Sequence, residues 1–561
     1  MNTMSNPLSR ANRSTEQKLG FNPKLTSILF ASLVFVFCAW ALSLPLFPTQ
    51  DGPMHKYYVH AIASVLSGSH SYNAYVIRRP FPPYATHYAL LLGLTEFLSF
   101  DASEKLLICV IFVCTAYGFR YCARSLGPSG NLLSLCMIPL ILHWSLVMGF
   151  LNYSLAVGLF FLAAGLWCRA SAGQVRLWLL FAIVSFLLAL THPVPLLLLI
   201  AFGSLDLLIR VIQNYNLSWE PGNLRFSLRD YRWQFVGLVI ACLSFLYPLA
   251  SVDRSRSVSN LRGTALHKDV LISSLALFGI SPFDTRSKNL FINGYRLGLY
   301  VLLLGCLGLG AAGFLGRWRS RHLRPSDSML IGAVAILFAI PVLPQSMNGS
   351  DYFSQRLMIF PWLGAIAAAS GYAAPRRLLR IAPIFAVFLA LITLLPAETF
   401  FRPVSHQLVA LENQPLPGHT QGLAILDPAM LKAVRVDHQL GFNPYLWSGV
   451  LPFLRADDVM LNSPFMDQKI TPLMPAPGGD LLIDQISSPE EAERMINGNV
   501  NLPALSPAMR STLLASTRMI VFVGSPAELE QGLAPLIGDN LADNYACTNH
   551  IWYLVCLAPS P

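Results

Sequence analysis

The feature that most constrains this chain is a series of apolar runs, each roughly 16 to 22 residues long, that recurs between Leu25 and Leu395. An α-helix rises about 1.5 Å per residue, so runs of this length match a hydrocarbon layer about 30 Å thick. Only 12% of the 561 residues are charged, 54% are hydrophobic, and the mean hydropathy is +0.52. A water-soluble protein normally carries about twice that charged fraction, so a single soluble core is excluded. The apolar excess belongs in a membrane.

The first run, Leu25 to Leu44, follows a polar tail of residues 1–24. It is longer than the apolar region of a signal peptide and has no small-x-small cleavage site before Pro45, so it is expected to remain as the first transmembrane helix. Further spans are expected at Leu106 to Tyr121, Leu132 to Met148, Tyr153 to Cys168, Leu177 to Leu190, Val194 to Ile209, Phe235 to Ala250, Tyr295 to Leu315, Met329 to Leu343, Leu357 to Tyr372 and Leu378 to Leu395. That gives about eleven. The piece His87 to Phe100 is ambiguous, and charge decides it. Left outside as an interfacial helix, it puts Arg120 and Arg124, Arg169 and Arg176, Arg210, Arg225, Arg229 and Arg232, Arg317 to Arg324, and Arg376, Arg377 and Arg380 on one side with Arg10, Arg13, Lys18 and Lys24. The positive-inside rule makes that side the cytoplasm and explains the +10 net charge without nucleic acid.

The expected fold class is therefore an all-α polytopic membrane protein with a C-terminal extracytoplasmic α/β domain. Its parts are a cytoplasmic tail at 1–24, a membrane domain at 25–396 with a first outer loop at 47–104, and an outer domain at 397–561. Beyond Pro396 no further span occurs. The short runs 422–427, 519–524 and 551–556 read as strands. Eight of the ten cysteines lie in or beside apolar helices, and only Cys547 and Cys556 lie in the outer domain, where they either pair or stay reduced and buried.

Four polar clusters fall on the outer side in this topology: 49–55, 149–153, 191–193 and 348–356. Polar groups beside hydrocarbon need partners or a function. In the first, Asp51 precedes Gly52-Pro53, with His55 four residues on and a stretch, Val59 to Leu66, that reads as an amphipathic interfacial helix with His60 and Ser64 toward water. A surface carboxylate with a neighbouring histidine suits general base chemistry, but Asp before Gly-Pro is equally a good N-cap. Arg356 stands at a helix entrance after a polar loop. It reads either as a phosphate-binding fork or as a side chain reaching for headgroups or pairing with Asp351. Gln355 stands next to it, and Arg78 and Arg79 are alternative cations. His192 lies between two apolar runs, where Pro193 and Pro195 interrupt the helix, and lines a cavity or closes a turn. Asn152 either bonds a sugar or caps the helix that follows. His438, Asn443, Tyr445 and Trp447 read as stacking residues or as core.

The layout of a cytoplasmic start, one helix, an outer loop opening on an acid, many further helices and a C-terminal outer domain resembles the GT-C superfamily of membrane glycosyltransferases. The phrases Asp51-Gly52-Pro53-Met54-His55, Gly149-Phe150-Leu151-Asn152-Tyr153 and Gln355-Arg356-Leu357 are similar to an uncharacterised bacterial branch grouped with it. The resemblance implies an inner-membrane enzyme that transfers a hexosyl or pentosyl group from a polyprenyl-phosphate donor to an extracytoplasmic glycan, lipid or protein. It implies Asp51 as catalytic base with His55 as partner, and Arg356, Arg78, Arg79, His192, Asn152 and Gln355 as substrate-binding residues. Many members carry a second acid beside the first, where this chain has Gly52, so no metal ligands are assigned. No cofactor is expected, and a divalent cation stays open. Two other readings stand beside the enzyme: a transporter or flippase for a lipid-linked or polar substrate, and a non-catalytic subunit of an envelope complex. No repeat of the kind transporters show is apparent.

Overall fold

The structure, a computed structural model, describes residues 23–68, 75–77, 84–170, 174–217, 231–251, 281–283, 287–320, 322–343, 353–372 and 376–414, and the C-terminal segments 421–426, 444–445, 448–454, 459–460, 473–475, 519–523, 545–549 and 553–558. Arg78, Arg79, Asp351, His438, Asn443 and Trp447 lie outside the described residues. The helices in chain order are α1 (Pro23–Ser43), α2 (Gly52–Leu66), α3 (Ala85–Thr95), α4 (Phe100–Leu126), α5 (Gly130–Leu133), α6 (Trp144–Val147), α7 (Leu151–Arg169), α8 (Val175–Thr191), α9 (Pro193–Leu217), α10 (Arg232–Ser251), α11 (Leu290–Arg319), α12 (Pro325–Ala339), α13 (Phe353–Leu357), α14 (Ile359–Ser370) and α15 (Arg376–Glu412). Among the described residues seven helices are long and apolar enough to cross a membrane, and three shorter apolar helices accompany them. The ambiguous piece forms α3, whose 11 residues are too few for a span.

Two expected spans are broken, each at a proline. Between α5 and α6 the chain runs through a 3-10 helix, Ser134–Leu140, that contains Pro139. Near the start of α14, Pro361 has no amide hydrogen to offer the Leu357 carbonyl, and the helix is interrupted at Met358. Both irregular stretches are buried in protein, which is where non-helical backbone is tolerated at membrane depth.

The chain divides into two compact units. The first holds 1–43, 106–146 and 150–398. Here α7, α8, α9 and α10 pack against one another, α9 also meets α12, and α14 packs against both α11 and α12. Several of its buried polar groups are partnered within the bundle. The Asp206 carboxylate accepts from Trp167 Nε1 at 2.9 Å and Ser328 Oγ at 3.1 Å and pairs with Arg210 at 2.8 Å. Arg317 makes a two-toothed pair with Asp327, whose Oδ2 also accepts from the Arg324 amide at 2.8 Å. Arg120 donates to Asn131 and to Ser27.

The second unit joins the expected outer loop to the C-terminal part, as 44–105, 147–149 and 399–561. Its sheet has five strands in the order β3 (Val459–Met460), β2 (Gln421–Leu426), β5 (Met519–Val523), β7 (Tyr553–Leu557), β6 (Ala546–Asn549). β2 runs parallel to β3 and β5, and β7 runs antiparallel to β5 and β6. The three strand-like runs of the sequence are β2, β5 and β7. A small antiparallel pair, β1 (Tyr75–Ile77) with β4 (Leu473–Pro475), ties loop to C-terminal part. Cys547 and Cys556 face each other across the β6–β7 ladder and are disulfide-bonded.

In this unit α2 is held by a buried charge cluster. Lys56, 2% exposed, pairs with Asp101 and, at 3.4 Å, with Glu104, which is 1% exposed. Burial acts against the lysine's charge, but Glu104, Glu412 and Asp101 outweigh it and raise its pKa above the ordinary value. His60, expected to face water, is buried on the edge of the Phe100 ring. The apolar side of α2 is wider than the sequence suggested, because the C-terminal part covers it as well.

Two outcomes follow. Cys547 and Cys556 should react with a maleimide only after reduction, and labelling of the unreduced protein would contradict the pairing. Lys56→Met strands buried carboxylates, so the detergent-solubilised protein should lose about 3–5 kcal/mol of stability, with part regained in Lys56→Met/Glu104→Gln. An unchanged thermal midpoint in the single variant would show that the cluster is not structural.

Candidate functional site

The segment that carries Asp51 is fixed at each step as it leaves α1. Lys105 Nζ donates to the Leu44 and Pro45 carbonyls at 2.9 and 3.3 Å, satisfying acceptors at the helix exit. Ser405 Oγ takes the Leu46 amide hydrogen at 2.8 Å and donates to the Leu46 carbonyl at 2.6 Å. The amides of Gln50 and Asp51 then donate to the carbonyls of Val147 and Met148 at 3.0 and 3.1 Å, two successive backbone bonds to the end of α6. Pro53 is the second residue of α2, its fixed φ suiting the first turn.

Asp51 occupies the N-cap position with φ −92° and ψ −4°, yet its side chain makes no capping hydrogen bond. Half-buried, it raises the pKa of the Tyr88 hydroxyl, a shift due first to burial and then to the Asp51 charge. Gly149 has φ +86°, a left-handed value that favours glycine, and a Cβ there would lie 2.8 Å from both the Asp51 Cβ and its amide nitrogen. Position 52 also has no room for a side chain, since a Cβ would collide with Thr49 Oγ1 and Glu104 Oε1. A carboxylate therefore does stand beside Gly52, supplied by α4 rather than by the next residue in the chain.

His55 sits one turn into α2. Its Nε2 is 2.9 Å from the Gly149 carbonyl and its Nδ1 is 3.0 Å from the Tyr88 hydroxyl. A carbonyl only accepts, so Nε2 carries the hydrogen, and Nδ1 accepts from Tyr88. Burial pushes the His55 pKa down to about 4, partly opposed by the Gly149 carbonyl. His87 stacks edge-on against His55, with its Nε2 3.4 Å from His55 Nδ1, and it too is held neutral by burial and by that neighbour.

A second cluster belongs to the other unit. Arg356, in α13, lays its guanidinium on the Phe150 ring, Cζ to centroid 3.6 Å, a cation–π contact. The Tyr153 hydroxyl donates to the Arg356 carbonyl at 2.6 Å, and the Tyr153 ring meets His192 edge-on at 5.0 Å. His192 closes the turn between α8 and α9, with Nδ1 accepting from the Val194 amide at 3.2 Å. Burial, then the Arg356 charge, lowers its pKa well below the usual value, so it is neutral with its hydrogen on Nε2. Gln355 Oε1 accepts from Ser354 Oγ at 2.9 Å, and both residues are buried. Asn152 lies inside the first turn of α7, whose N-cap is Phe150, and its Oδ1 accepts from the Tyr153 amide at 2.9 Å. Among the described residues no three His, Cys, Asp or Glu side chains are grouped to hold a metal ion.

The expected residues thus fall into two groups, Asp51 with His55 and Arg356 with Gln355, His192 and Asn152. The chain passes between the groups at the peptide bond from Gly149 to Phe150. Sequence reading missed Tyr88, His87 and the Lys56 cluster. Glu104 offered a signal, since an acid near the start of an apolar helix is costly unless partnered.

No family model matches the chain, and no curated protein matches it. Among solved structures it is similar to ArnT from Cupriavidus metallidurans in the apo state, at 14% identity and a TM-score of 0.53, over 95% of this chain and 99% of that one. It is likewise similar to ArnT from the same organism bound to undecaprenyl phosphate, at 14% identity, a TM-score of 0.51 and the same coverage. The fold implied by the resemblance to the GT-C superfamily is the fold found: a polytopic helical membrane protein with a small C-terminal sheet.

Because folded His55 titrates near pH 4, against about 6.5 in an unfolded chain, burying it neutral stabilises the protein above pH 6.5. That contribution is lost as pH falls through the window between the two values. The thermal midpoint of the purified protein should drop across that range, and His55→Gln should make the drop shallower. An equal slope in both proteins would show that His55 is not held neutral.

Proposed function

We propose that the protein is a membrane glycosyltransferase that takes a sugar from a polyprenyl-phosphate donor and transfers it to an extracytoplasmic acceptor. The observation that carries this reading is the placement of Asp51: a carboxylate at the N-terminus of α2 on a backbone fixed by the Gln50 and Asp51 amides, which donate to the Val147 and Met148 carbonyls. The ArnT-like fold supports the reading, since one of those structures is bound to undecaprenyl phosphate.

In the proposed reaction Asp51 takes the proton of the acceptor's hydroxyl or amine as that atom attacks the anomeric carbon. The bond from that carbon to the phosphate oxygen breaks, and the polyprenyl phosphate leaves with the electron pair. Negative charge then grows on phosphate. The planar Arg356 guanidinium suits it, and His192 adds a neutral Nε2–H donor without a second charge to repel. Arg78 and Arg79 are further candidates for the same phosphate, and Gln355 and Asn152 for sugar hydroxyls. The arginine-rich loops support a cytoplasmic N-terminus in the inner membrane, and the Cys547–Cys556 disulfide supports an oxidising, extracytoplasmic location for the C-terminal part.

The test uses membranes containing wild type or Asp51→Asn at equal level, supplied in turn with sugar-labelled undecaprenyl-phosphate hexoses and pentoses. Transfer to endogenous acceptors should require the protein and fall about 10²- to 10⁴-fold in Asp51→Asn. Arg356→Gln should weaken use of the donor, and Arg356→Lys should not fully restore it. Label transfer that is indifferent to the presence of the protein across the whole panel would defeat the enzyme reading.

A further inference from the structure

Four residues close a ring around Asp51. Its carbonyl accepts from the His55 amide at 3.1 Å in the first turn of α2, and the His55 side chain donates from Nε2 to the Gly149 carbonyl. Gly149 presses on the Asp51 Cβ with no space for a side chain, and the preceding Met148 carbonyl accepts from the Asp51 amide. Tyr88, from α3, closes the ring from outside by donating to His55 Nδ1.

We infer that Gly149, His55 and Tyr88 are positioning residues for the Asp51 carboxylate, so that His55 acts through Gly149 and takes no part in moving the proton. The inference rests on the reading of Asp51 as the base. Both His55 ring nitrogens are already engaged, one with a carbonyl and one with a phenol. The two contacts also explain why the residue is a histidine: one small ring must donate at one end and accept at the other. Tyr88, kept protonated by burial and by Asp51 itself, fixes which nitrogen carries the hydrogen. Gly149 then transmits the constraint, because at φ +86° a Cβ in its place would stand 2.8 Å from the aspartate Cβ. A base must be held to within a fraction of an ångström, and a displacement of about 1 Å costs on the order of 10²-fold in rate.

The experiment measures kcat and donor KM for wild type, Asp51→Asn, His55→Leu, His55→Gln, Tyr88→Phe and Gly149→Ala. The donor is the undecaprenyl-phosphate sugar that gives most transfer in the panel, and rates are corrected for folded protein. Gln can place an amide NH₂ where Nε2 stands. The expected pattern is a drop of about 10²-fold in kcat for His55→Leu and Gly149→Ala at nearly unchanged KM, a drop of about tenfold for Tyr88→Phe, and recovery in His55→Gln to within about tenfold of wild type. A merely structural role would lower the yield of folded protein without this split. Should His55→Leu fail to fold, Tyr88→Phe and His55→Gln still decide the matter. Wild-type turnover in Tyr88→Phe together with dead His55→Gln would show that the imidazole itself transfers protons, overturning the inference. Loss in Asp51→Asn with full turnover in His55→Leu and Gly149→Ala would overturn it too, while leaving Asp51 as base. Full turnover in Asp51→Asn would remove the base reading and this one with it.

Discussion

Two backbone hydrogen bonds, from the amides of Gln50 and Asp51 to the carbonyls of Val147 and Met148, are the constraint on which the candidate site depends. They join a segment leaving the first helix to one lying nearly a hundred residues later, and they fix the backbone on which the carboxylate stands. Everything nearby serves that pairing. Lys105 and Ser405 hold the segment before it, the buried Lys56 cluster holds the helix after it, and Gly149 leaves room for the two segments to approach. Backbone bonds are a sound basis for such a site, since side-chain substitution does not remove them and burial strengthens them.

The membrane imposes a second constraint, which is that charge must be matched where it is buried. In the helical unit this is done with Asp206 and Arg210 and with Arg317 and Asp327, while Arg120 donates to the Asn131 amide oxygen. The Arg356 guanidinium rests on the Phe150 face, its carbonyl is engaged by Tyr153, and its neighbour His192 is kept neutral. A guanidinium stacked on a ring keeps its hydrogen-bonding edge directed away from the ring, the arrangement a phosphate-binding arginine needs.

How much of this could be read in the sequence follows from which forces act locally. Apolar runs and arginine-bearing loops marked the helices, because length and charge are properties of contiguous residues. The strands at 421–426, 519–523 and 553–557 were visible for the same reason. The breaks near Pro139 and Pro361 were missed although proline is a local signal, because the surrounding composition still met the length test. The grouping of 44–105 with the C-terminal part was not legible, since it depends on β1 pairing with β4 across nearly four hundred residues. Within the site, Asp51 and Arg356 stood out as polar residues at helix ends. Tyr88 and His87 did not, because α3 looked like an ordinary apolar piece until it was set against α2. His60 was misjudged because amphipathic periodicity tells which face is polar but not whether a second layer covers it.

The central proposal is that Arg356 binds the phosphate of a lipid-phosphate donor. The most direct measurement is an experimental structure of the protein with undecaprenyl phosphate bound in lipid nanodiscs. The account predicts phosphate oxygens within hydrogen-bonding distance of the Arg356 guanidinium and the His192 Nε2–H, with the Gln50–Val147 and Asp51–Met148 pairing intact. A phosphate held by other residues, with Arg356 still turned away from it, would contradict the account.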